Sequence, residues 1–462
     1  MTLVAGVDSS TQSCKVVVCE AETGQVVRQA SAPHPDATEV DPQHWWEAWT
    51  TASAGLLDDV RALGVGGQQH GMVALDSKGD VVRPALLWND TRSAADAADL
   101  VAERGAAAWA EAVGSVPLAS FTVTKLRWLA RAEPENAGRV ETVLLPHDWL
   151  TWQILGRPAD KTTDRGDASG TGYWSPQTSA YRMDLLEASF GRAVTVPTVL
   201  APNQPAGYTD DGVVVAGGTG DNMGAALGLG LTTGDVAVSI GTSGVVSAVH
   251  SQPSADPTGN VAGFCDATGR FLPLVCTLNG ARVLSSVAQL LGRDLRAVDE
   301  LALSAPAGAD ELTLLPYLDG ERTPKLPTAA GTLCGLRRTN ADPPHLARAA
   351  VEGLLCGLAD GLDALRSVGV QSREVRLVGG GSQSRAVLTL APDILGVAVV
   401  RPEPAEYVAR GAAKQAAWVL SGEAAPPDWP LPAAAAQEPR DLAAGADVRE
   451  QYSRHRRAVF GV

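Results

Sequence analysis

The sequence is poor in cysteine and in basic residues. Its six cysteines form no CxxC pair, and none has a histidine nearby at zinc spacing, so we expect reduced thiols and no zinc site. The 37 basic side chains against 52 acidic ones leave a formal net charge of −15, which does not attract the phosphates of nucleic acid. No apolar stretch approaches the ~18 residues that a membrane span needs. These absences favour a cytoplasmic protein that binds neither nucleic acid nor membrane.

Several well-known catalytic motifs are missing as well. The chain has no GxxxxGK[ST] phosphate loop, and no Gly-Lys dipeptide occurs in it. The HRD and DFG motifs of protein kinases, the HExxH metal motif and the GxSxG turn are also absent. Any nucleotide binding must therefore use another kind of loop.

Runs of β-branched residues alternate with Ala- and Leu-rich segments of helical period, which predicts an α/β fold. A strand–turn–strand pattern occurs twice, in Leu3–Glu20 and in Asp235–His250. Repetition of one supersecondary unit in the two halves of a chain indicates two related domains. We place them at residues 1–230 and 231–462, with a C-terminal helix that docks back on the second domain.

Three turns rich in hydroxyl groups or glycine could receive phosphate groups. Asp8–Lys15 (DSSTQSCK) has a carboxylate at its entrance and a cation at its exit. Gly241–Gly244 and Gly379–Ser382 follow strands in the second half of the chain. Each turn alone is equally explained as an ordinary connection whose side chains satisfy turn amides. Their joint order favours nucleotide binding, with Asp8 facing a bound Mg²⁺ through water.

Two further segments carry polar groups at predicted strand ends. GGTGDNMG places Asp221 among glycines, where a ligand can approach a carboxylate that acts as a general base, although a role in capping the next helix is equally open. Four neutral polar side chains and one indole come close together in the sequence: Gln68, Gln69, His70, Asn89 and Trp88. This mixture suits an uncharged ligand with many hydroxyl groups.

Taken together, these motifs resemble those of the FGGY family of carbohydrate kinases along nearly the whole chain. Four more segments carry the resemblance in the order of the family: SFTVTKLRWLA (Ser120–Ala130), LPYLDGERTP (Leu315–Pro324), GTLCGLRRTNADPPHLARAAVE (Gly331–Glu352) and ARGAAKQAAW (Ala409–Trp418). The segments GQQHG and LLWND are more similar to those of members that act on xylulose than to those of relatives that act on glycerol.

The resemblance implies two actin-like, ribonuclease-H-like domains with a cleft between them. It implies phosphoryl transfer from MgATP to the 5-hydroxyl of D-xylulose, with Asp221 as the general base and Asp8 as the carboxylate associated with Mg²⁺. The sugar-binding positions that it carries over are Gln69, His70, Trp88 and Asn222. The ATP-binding positions are Thr11, Lys15, Thr242, Gly380 and Ser384.

Two of the departures from the family pattern lie in the predicted phosphate loop and sugar pocket. Ser10 stands where the first phosphate loop usually has glycine, and Gln69 stands where many members that act on xylulose carry methionine. The second change makes the predicted pocket more polar. L-ribulose, gluconate and glycerol therefore remain possible substrates. Two other functions also remain open: an actin-like ATPase without a sugar substrate, and a degenerate sugar-binding regulator. For the oligomeric state, a homodimer remains possible.

Overall fold

A computed structural model describes residues 1–433 and 435–462, which form two compact units. Unit 1 contains Met1–Leu231, Ser251–Leu272 and Ala405–Pro430, whereas unit 2 contains the segments Thr232–His250, Pro273–Pro404 and Leu431–Val462. Both units combine strands with helices, so the predicted α/β class is confirmed. The predicted division after residue 230 treats each domain as one continuous segment and stays a prediction.

The strands, in chain order, are β1 Leu3–Ser9, β2 Ser13–Glu20, β3 Val26–Pro33, β4 Glu39–Val40, β5 Val60–Gly67, β6 Val73–Leu75, β7 Ala85–Leu86, β8 Thr142–Leu144, β9 Thr162–Asp164, β10 Trp174–Ser175, β11 Ala180–Tyr181, β12 Thr198–Leu200, β13 Pro205–Tyr208, β14 Val214–Ala216, β15 Thr219–Gly220, β16 Asp235–Ile240, β17 Gly244–Ala248, β18 Ala262–Cys265, β19 Phe271–Thr277, β20 Thr313–Leu315, β21 Thr332–Cys334, β22 Glu374–Val378 and β23 Ala398–Val400. The helices are α1 Gln43–Ser53, α2 Ala94–Arg104, α3 Ala106–Val113, α4 Thr122–Ala132, α5 Pro134–Arg139, α6 Pro146–Ile154, α7 Arg165–Ala168, α8 Met183–Phe190, α9 Asp221–Gly228, α10 Arg282–Leu291, α11 Leu295–Ser304, α12 Pro343–Ser367, α13 Arg385–Leu395, α14 Tyr407–Ser421 and α15 Leu442–Phe460. Short 3₁₀ segments lie at Ala307–Glu311 and Gly380–Gln383.

The main sheet of unit 1 has the strand order β13-β14-β5-β1-β2-β3, and β15 also pairs with β5. Every residue of β1 is buried, which is typical of a central strand covered on both faces. Strands β1 and β15 both run parallel to β5, so the carboxyl ends of the three strands meet at one edge of the sheet. This edge therefore gathers Asp8, Gln68 and Asp221 from distant parts of the sequence.

Helix α14 packs closely across the same sheet. A Cβ atom on Gly6 would overlap the carbonyl oxygen of Ala409, and one on Gly64 would overlap the carbonyl oxygen of Ala412. Only glycine allows a helix to approach a strand so closely. The result is that Glu406, the residue before the helix, reaches Lys15 on β2.

In unit 2, β17, β16, β22 and β23 pair in that order, with residues 274–277 of β19 beside β17. Strands β16 and β22 are parallel, so the turns that follow them lie at the same edge of this sheet. A helix is present at the C-terminus as expected, and Tyr452 in α15 donates a hydrogen bond to Tyr317 at 2.9 Å. Across the two described ranges, no helix has both the length and the apolar character that crossing a membrane requires.

Candidate active site

The first predicted carboxylate lies near the end of β1, just before the turn that leads to β2. Asp8 lies opposite Lys15 in the strand pair and is only 5% exposed. Burial raises the pKa of Asp8 to about 6, and the hydrogen bond from Ser10 and the charge of Lys15 lower it only in part. Lys15 Nζ donates to Glu406 Oε2 at 2.6 Å. Burial lowers the pKa of Lys15, but the two neighbouring carboxylates outweigh this effect, so the lysine keeps its charge.

Asp221 begins α9 directly after β15 and is connected to two of the predicted sugar-binding residues. Its Oδ1 accepts hydrogen bonds from the main-chain N–H of Asn222 at 2.7 Å and from the Asn222 side-chain amide at 2.9 Å. The same amide donates to Gln69 Oε1 at 2.9 Å. Strand pairing thus brings together Gln69, Asn222 and Asp221, of which the first two are 153 positions apart in the sequence.

The pKa of Asp221 suits a general base that works near neutral pH. Burial, and then the charge of Asp8, raise the pKa of Asp221 to about 7. No described residue donates a hydrogen bond to Oδ2 of Asp221. The alternative role in helix capping is met only in part, because Gly220 is the N-cap residue and the Asp221 carboxylate accepts one N–H of the first turn. A partly exposed carboxylate with this pKa can accept a proton from a bound alcohol.

Three polar side-chain atoms of Gln68 and Gln69 lack hydrogen-bond partners among the described residues. Gln68 is fully buried, and neither polar atom of its side chain has a hydrogen-bond partner there. Gln69 Nε2 is also buried and without a partner in this part of the chain. A buried polar group left unpaired costs about 1–3 kcal/mol, so such groups are expected where a polar ligand supplies the partner. The site therefore fits a ligand that carries hydroxyl groups.

His70 follows these glutamines in an unusual conformation. Its φ is +66°, which residues other than glycine rarely adopt. Its Nδ1 lies 2.6 Å from the carbonyl oxygen of Gly170, so Nδ1 carries a proton and donates it to this oxygen, which can only accept. The ring stacks on Phe121 with 4.7 Å between the ring centres. The carbonyl oxygen of His70 accepts hydrogen bonds from Lys125 Nζ at 3.1 Å and from Thr122 Oγ1 at 3.2 Å.

Trp88 and Thr11 contact each other. The indole N–H of Trp88 donates to Thr11 Oγ1 at 2.8 Å, and the tryptophan is 37% exposed. A residue predicted on the sugar side thus touches one predicted on the nucleotide side. The exposed indole face is suited to lie against the apolar face of a sugar.

Sequence reasoning missed a buried group of charges beside this region. His147 Nδ1 lies 2.7 Å from Asp167 Oδ2, and Asp167 also accepts the main-chain N–H of His70. Burial lowers the pKa of His147, but Asp167, Asp148 and Asp164 outweigh it and raise this pKa to about 10. One feature of the sequence could have predicted this group: a histidine and an aspartate stand side by side in the mostly apolar segment LLPHDWLTW.

The remaining predicted nucleotide contacts lie in unit 2. Thr242 is exposed in the turn after β16, and Gly380 is exposed in the turn after β22. A Cβ atom on Gly380 would meet nothing within 4 Å, so a ligand could approach the main chain at this point. Ser384 is the N-cap residue of α13 and donates its hydroxyl proton to Asp299. The roles of all three residues stay predictions.

A cage of protein ligands for a metal is not found. Within the described residues, no group of three or more His, Cys, Asp or Glu side chains could hold a metal ion. Mg²⁺ that arrives with a nucleotide needs no such cage, because it keeps several waters and takes one or two carboxylates besides the phosphates. The buried carboxylate of Asp8, beside the hydroxyl-rich turn, fits this second type of site.

Comparison with known proteins gives matches over nearly the whole chain. Residues 3–228 match the N-terminal domain of the FGGY family of carbohydrate kinases, and residues 236–420 match its C-terminal domain. The xylulose kinase of Streptomyces coelicolor is 47% identical over 438 residues, covering 91% of this chain and 89% of that protein. The xylulose kinase of Streptomyces rubiginosus is 46% identical with the same coverage.

The solved structures agree with the sequence matches. The crystal structure of xylulose kinase from Bifidobacterium adolescentis has a TM-score of 0.92 and 46% identity, covering 98% of this chain and 99% of that one. This likeness confirms the predicted fold of two actin-like domains.

Proposed function

This chain belongs to the FGGY family of carbohydrate kinases, and from that premise we propose that it transfers the γ-phosphoryl group of ATP to the 5-hydroxyl of D-xylulose. The names of its relatives support the choice of sugar. The observation that carries the chemistry is Asp221, a carboxylate with a pKa of about 7 that is hydrogen-bonded to Asn222.

In the proposed reaction, Asp221 accepts the proton of the 5-hydroxyl while that oxygen attacks the γ-phosphorus in line. The bond from this phosphorus to the bridging oxygen breaks, and ADP leaves with the electron pair. Asn222 holds Oδ1 of the base through two hydrogen bonds, which leaves Oδ2 to take the proton. The base is ionised at neutral pH in part of the molecules and is basic enough to remove the proton as the new bond forms.

We assign the sugar to the group formed by Gln69, His70, Trp88 and Asn222. The unpartnered Nε2 of Gln69 would donate to a sugar hydroxyl. Gln69, which stands where many members that act on xylulose carry methionine, adds a donor and an acceptor without adding charge. This favours a neutral polyol over a substrate that carries a carboxylate.

We assign ATP to Thr11 and Lys15 in unit 1 and to Thr242, Gly380 and Ser384 in unit 2. Asp8 would hold the Mg²⁺ that accompanies ATP, and this ion neutralises phosphate charge in phosphoryl transfer. Lys15 adds a positive charge that its pair with Glu406 keeps in place.

We propose that the protein is located in the cytoplasm. Its six cysteines are free thiols, which is typical of proteins in a reducing compartment. A homodimer stays a prediction.

A panel of acceptors with ATP tests the substrate. We expect kcat/KM for D-xylulose to exceed that for L-ribulose, D-gluconate and glycerol by about tenfold or more, because the specificity of a pocket depends on how completely its polar groups are paired. A coupled assay of ADP release measures the rates, and ³¹P NMR identifies the 5-phosphate.

Other outcomes of this panel select the alternatives. Faster phosphorylation of gluconate or glycerol would replace xylulose as the substrate. ATP hydrolysis that is indifferent to every sugar, or polymerisation driven by ATP, would favour an actin-like ATPase. Sugar binding without any phosphate transfer would favour a regulator.

The pH dependence of the reaction follows from the ionisation of Asp221. Since Asp221 has a pKa of about 7 and must be ionised to accept a proton, we expect kcat/KM for the sugar to fall about tenfold for each pH unit below 7. Asp8, with a pKa of about 6 in the free protein, should not add to this profile at saturating MgATP, because Mg²⁺ beside it favours its ionised form. Initial rates at saturating MgATP over about pH 5 to 8.5 measure this profile. A flat profile over that range would remove Asp221 from the role of base.

A further inference from the structure

Lys125, in helix α4, is a buried lysine that the proposed reaction does not use. Its side chain is 0% exposed, and Nζ donates to the main-chain carbonyls of His70, at 3.1 Å, and of Ser120. Burial lowers the pKa of Lys125 to about 7, and the charge of Asp90 raises it only in part. Both acceptors are neutral, so no ion pair compensates for the removal of this amine from water.

The hydrogen bonds of Lys125 lead to the acceptor side of the site. His70 has a φ of +66°, a conformation that persists in a non-glycine residue only where its surroundings hold it. Gln69, the residue before it, accepts a hydrogen bond from Asn222, which in turn donates to Asp221. A change in the main chain at His70 therefore moves the first member of the network that ends at the base.

We propose that Lys125 is a positioning residue for the sugar: by holding the carbonyl of His70, it keeps the side chains of Gln69 and His70 aligned with Asn222 and Asp221. This inference rests on the proposed function, because it deepens the account of the same site. Lys125 itself touches neither the base nor the reacting atoms in this arrangement.

Packing alone does not require a lysine at this place. Three other buried residues of α4, Val123, Leu126 and Leu129, are apolar and contribute to the core without any polar group. A methionine at position 125 would fill a similar volume without burying an amine. What the lysine provides, and a methionine lacks, is an amine that donates to the main-chain carbonyls of His70 and Ser120.

Lys125→Met is the direct test. We expect the KM for D-xylulose to rise about tenfold or more, with the KM for MgATP changed less than about twofold, because the His70 carbonyl loses a side-chain hydrogen-bond donor. Calorimetric titration of the sugar without nucleotide should give the same loss in affinity. Leu129→Ala is the matched control: it removes buried volume from the same helix and lowers the melting temperature, but it should leave the KM for the sugar unchanged.

Thr122→Val provides a second, milder test, since Thr122 Oγ1 also donates to the His70 carbonyl. We expect a rise of about threefold in the KM for the sugar. The double variant Lys125→Met/Thr122→Val should change this KM by a factor that differs from the product of the two single factors, because both donors act on one atom. This variant keeps the test valid if Lys125→Met does not fold.

The proposal is overturned if Lys125→Met and Thr122→Val behave like Leu129→Ala, with reduced thermal stability and unchanged sugar affinity. An equal rise in both KM values would also overturn it. If the wild-type protein prefers another sugar of the panel, the proposed substrate fails, and the same measurements with that sugar still decide the role of Lys125.

Discussion

Replacing Asp221 with asparagine is expected to lower kcat for sugar phosphorylation about 10³-fold, within the 10²- to 10⁴-fold range of general-base contributions. Asparagine has nearly the same shape and keeps an oxygen that can accept the two hydrogen bonds from Asn222, so the network to Gln69 persists. What is lost is the group that takes the proton from the attacking hydroxyl. Steady-state rates with saturating D-xylulose and MgATP measure the effect.

The same variant should bind nucleotide normally and be more stable at pH 8. Burial and Asp8 raise the pKa of Asp221 to about 7, so its ionisation at pH 8 opposes folding. At a pH below 3.8, the pKa of this carboxyl in the unfolded chain, the group is neutral in both states. The stability that the variant gains over wild type therefore disappears as the pH falls from about 7 to about 3.8. Asp211→Asn, at an exposed carboxylate of the same unit, is the control and should change neither rate nor stability. Turnover by Asp221→Asn within about tenfold of wild type would refute the base assignment.

Asp8→Asn is expected to lower kcat about 10²-fold and to raise the concentration of Mg²⁺ needed for half-maximal rate. Asparagine keeps an acceptor for the hydrogen bond from Ser10 but cannot offer a negative charge to the cation beside the phosphates. Affinity for the sugar without nucleotide should stay unchanged, because we assign Asp8 to the Mg²⁺ that accompanies ATP. Rates measured across a titration of Mg²⁺ at fixed ATP show both effects.

Ser10→Gly provides the matched comparison, since it removes the hydroxyl that donates to Asp8 and leaves the carboxylate in place. It also introduces the glycine that is usual in the family's first phosphate loop. We expect a change of less than about fivefold in kcat, because the charge that faces Mg²⁺ is retained. If the rate of Asp8→Asn depended on Mg²⁺ as the wild-type rate does, Asp8 would not be the residue that holds the cation.

Much of the candidate site could be predicted because it lies in short, continuous motifs. The turns at Asp8–Lys15 and Gly241–Gly244 are recognised from hydroxyl and glycine residues between β-branched runs, and Asp221 stands out among glycines. The roles assigned to these residues stay predictions. Their places at strand ends agree with the structure, because a strand and its turn are determined by neighbouring residues.

The contacts that support the site could not be predicted in this way. Lys15 pairs with Glu406, which is 391 positions later, because α14 returns to the sheet of unit 1. Lys125 is recognisable only as part of a helix in the sequence, and its hydrogen bond to His70 depends on how that helix packs. Asp164 and Asp167 likewise reach His147 only in the folded chain, whereas Asp148 is its neighbour in the sequence.

The sequence by itself determined the α/β class, the family, and the positions of the turns and carboxylates, because local spacing and residue type are enough for these. The tertiary structure decided which residues share an edge of the sheet, which amides are buried without partners, and how far the pKa of Asp221 moves. These properties depend on parallel strands that join distant segments at one edge, and on the removal of water around charges that are far apart along the chain.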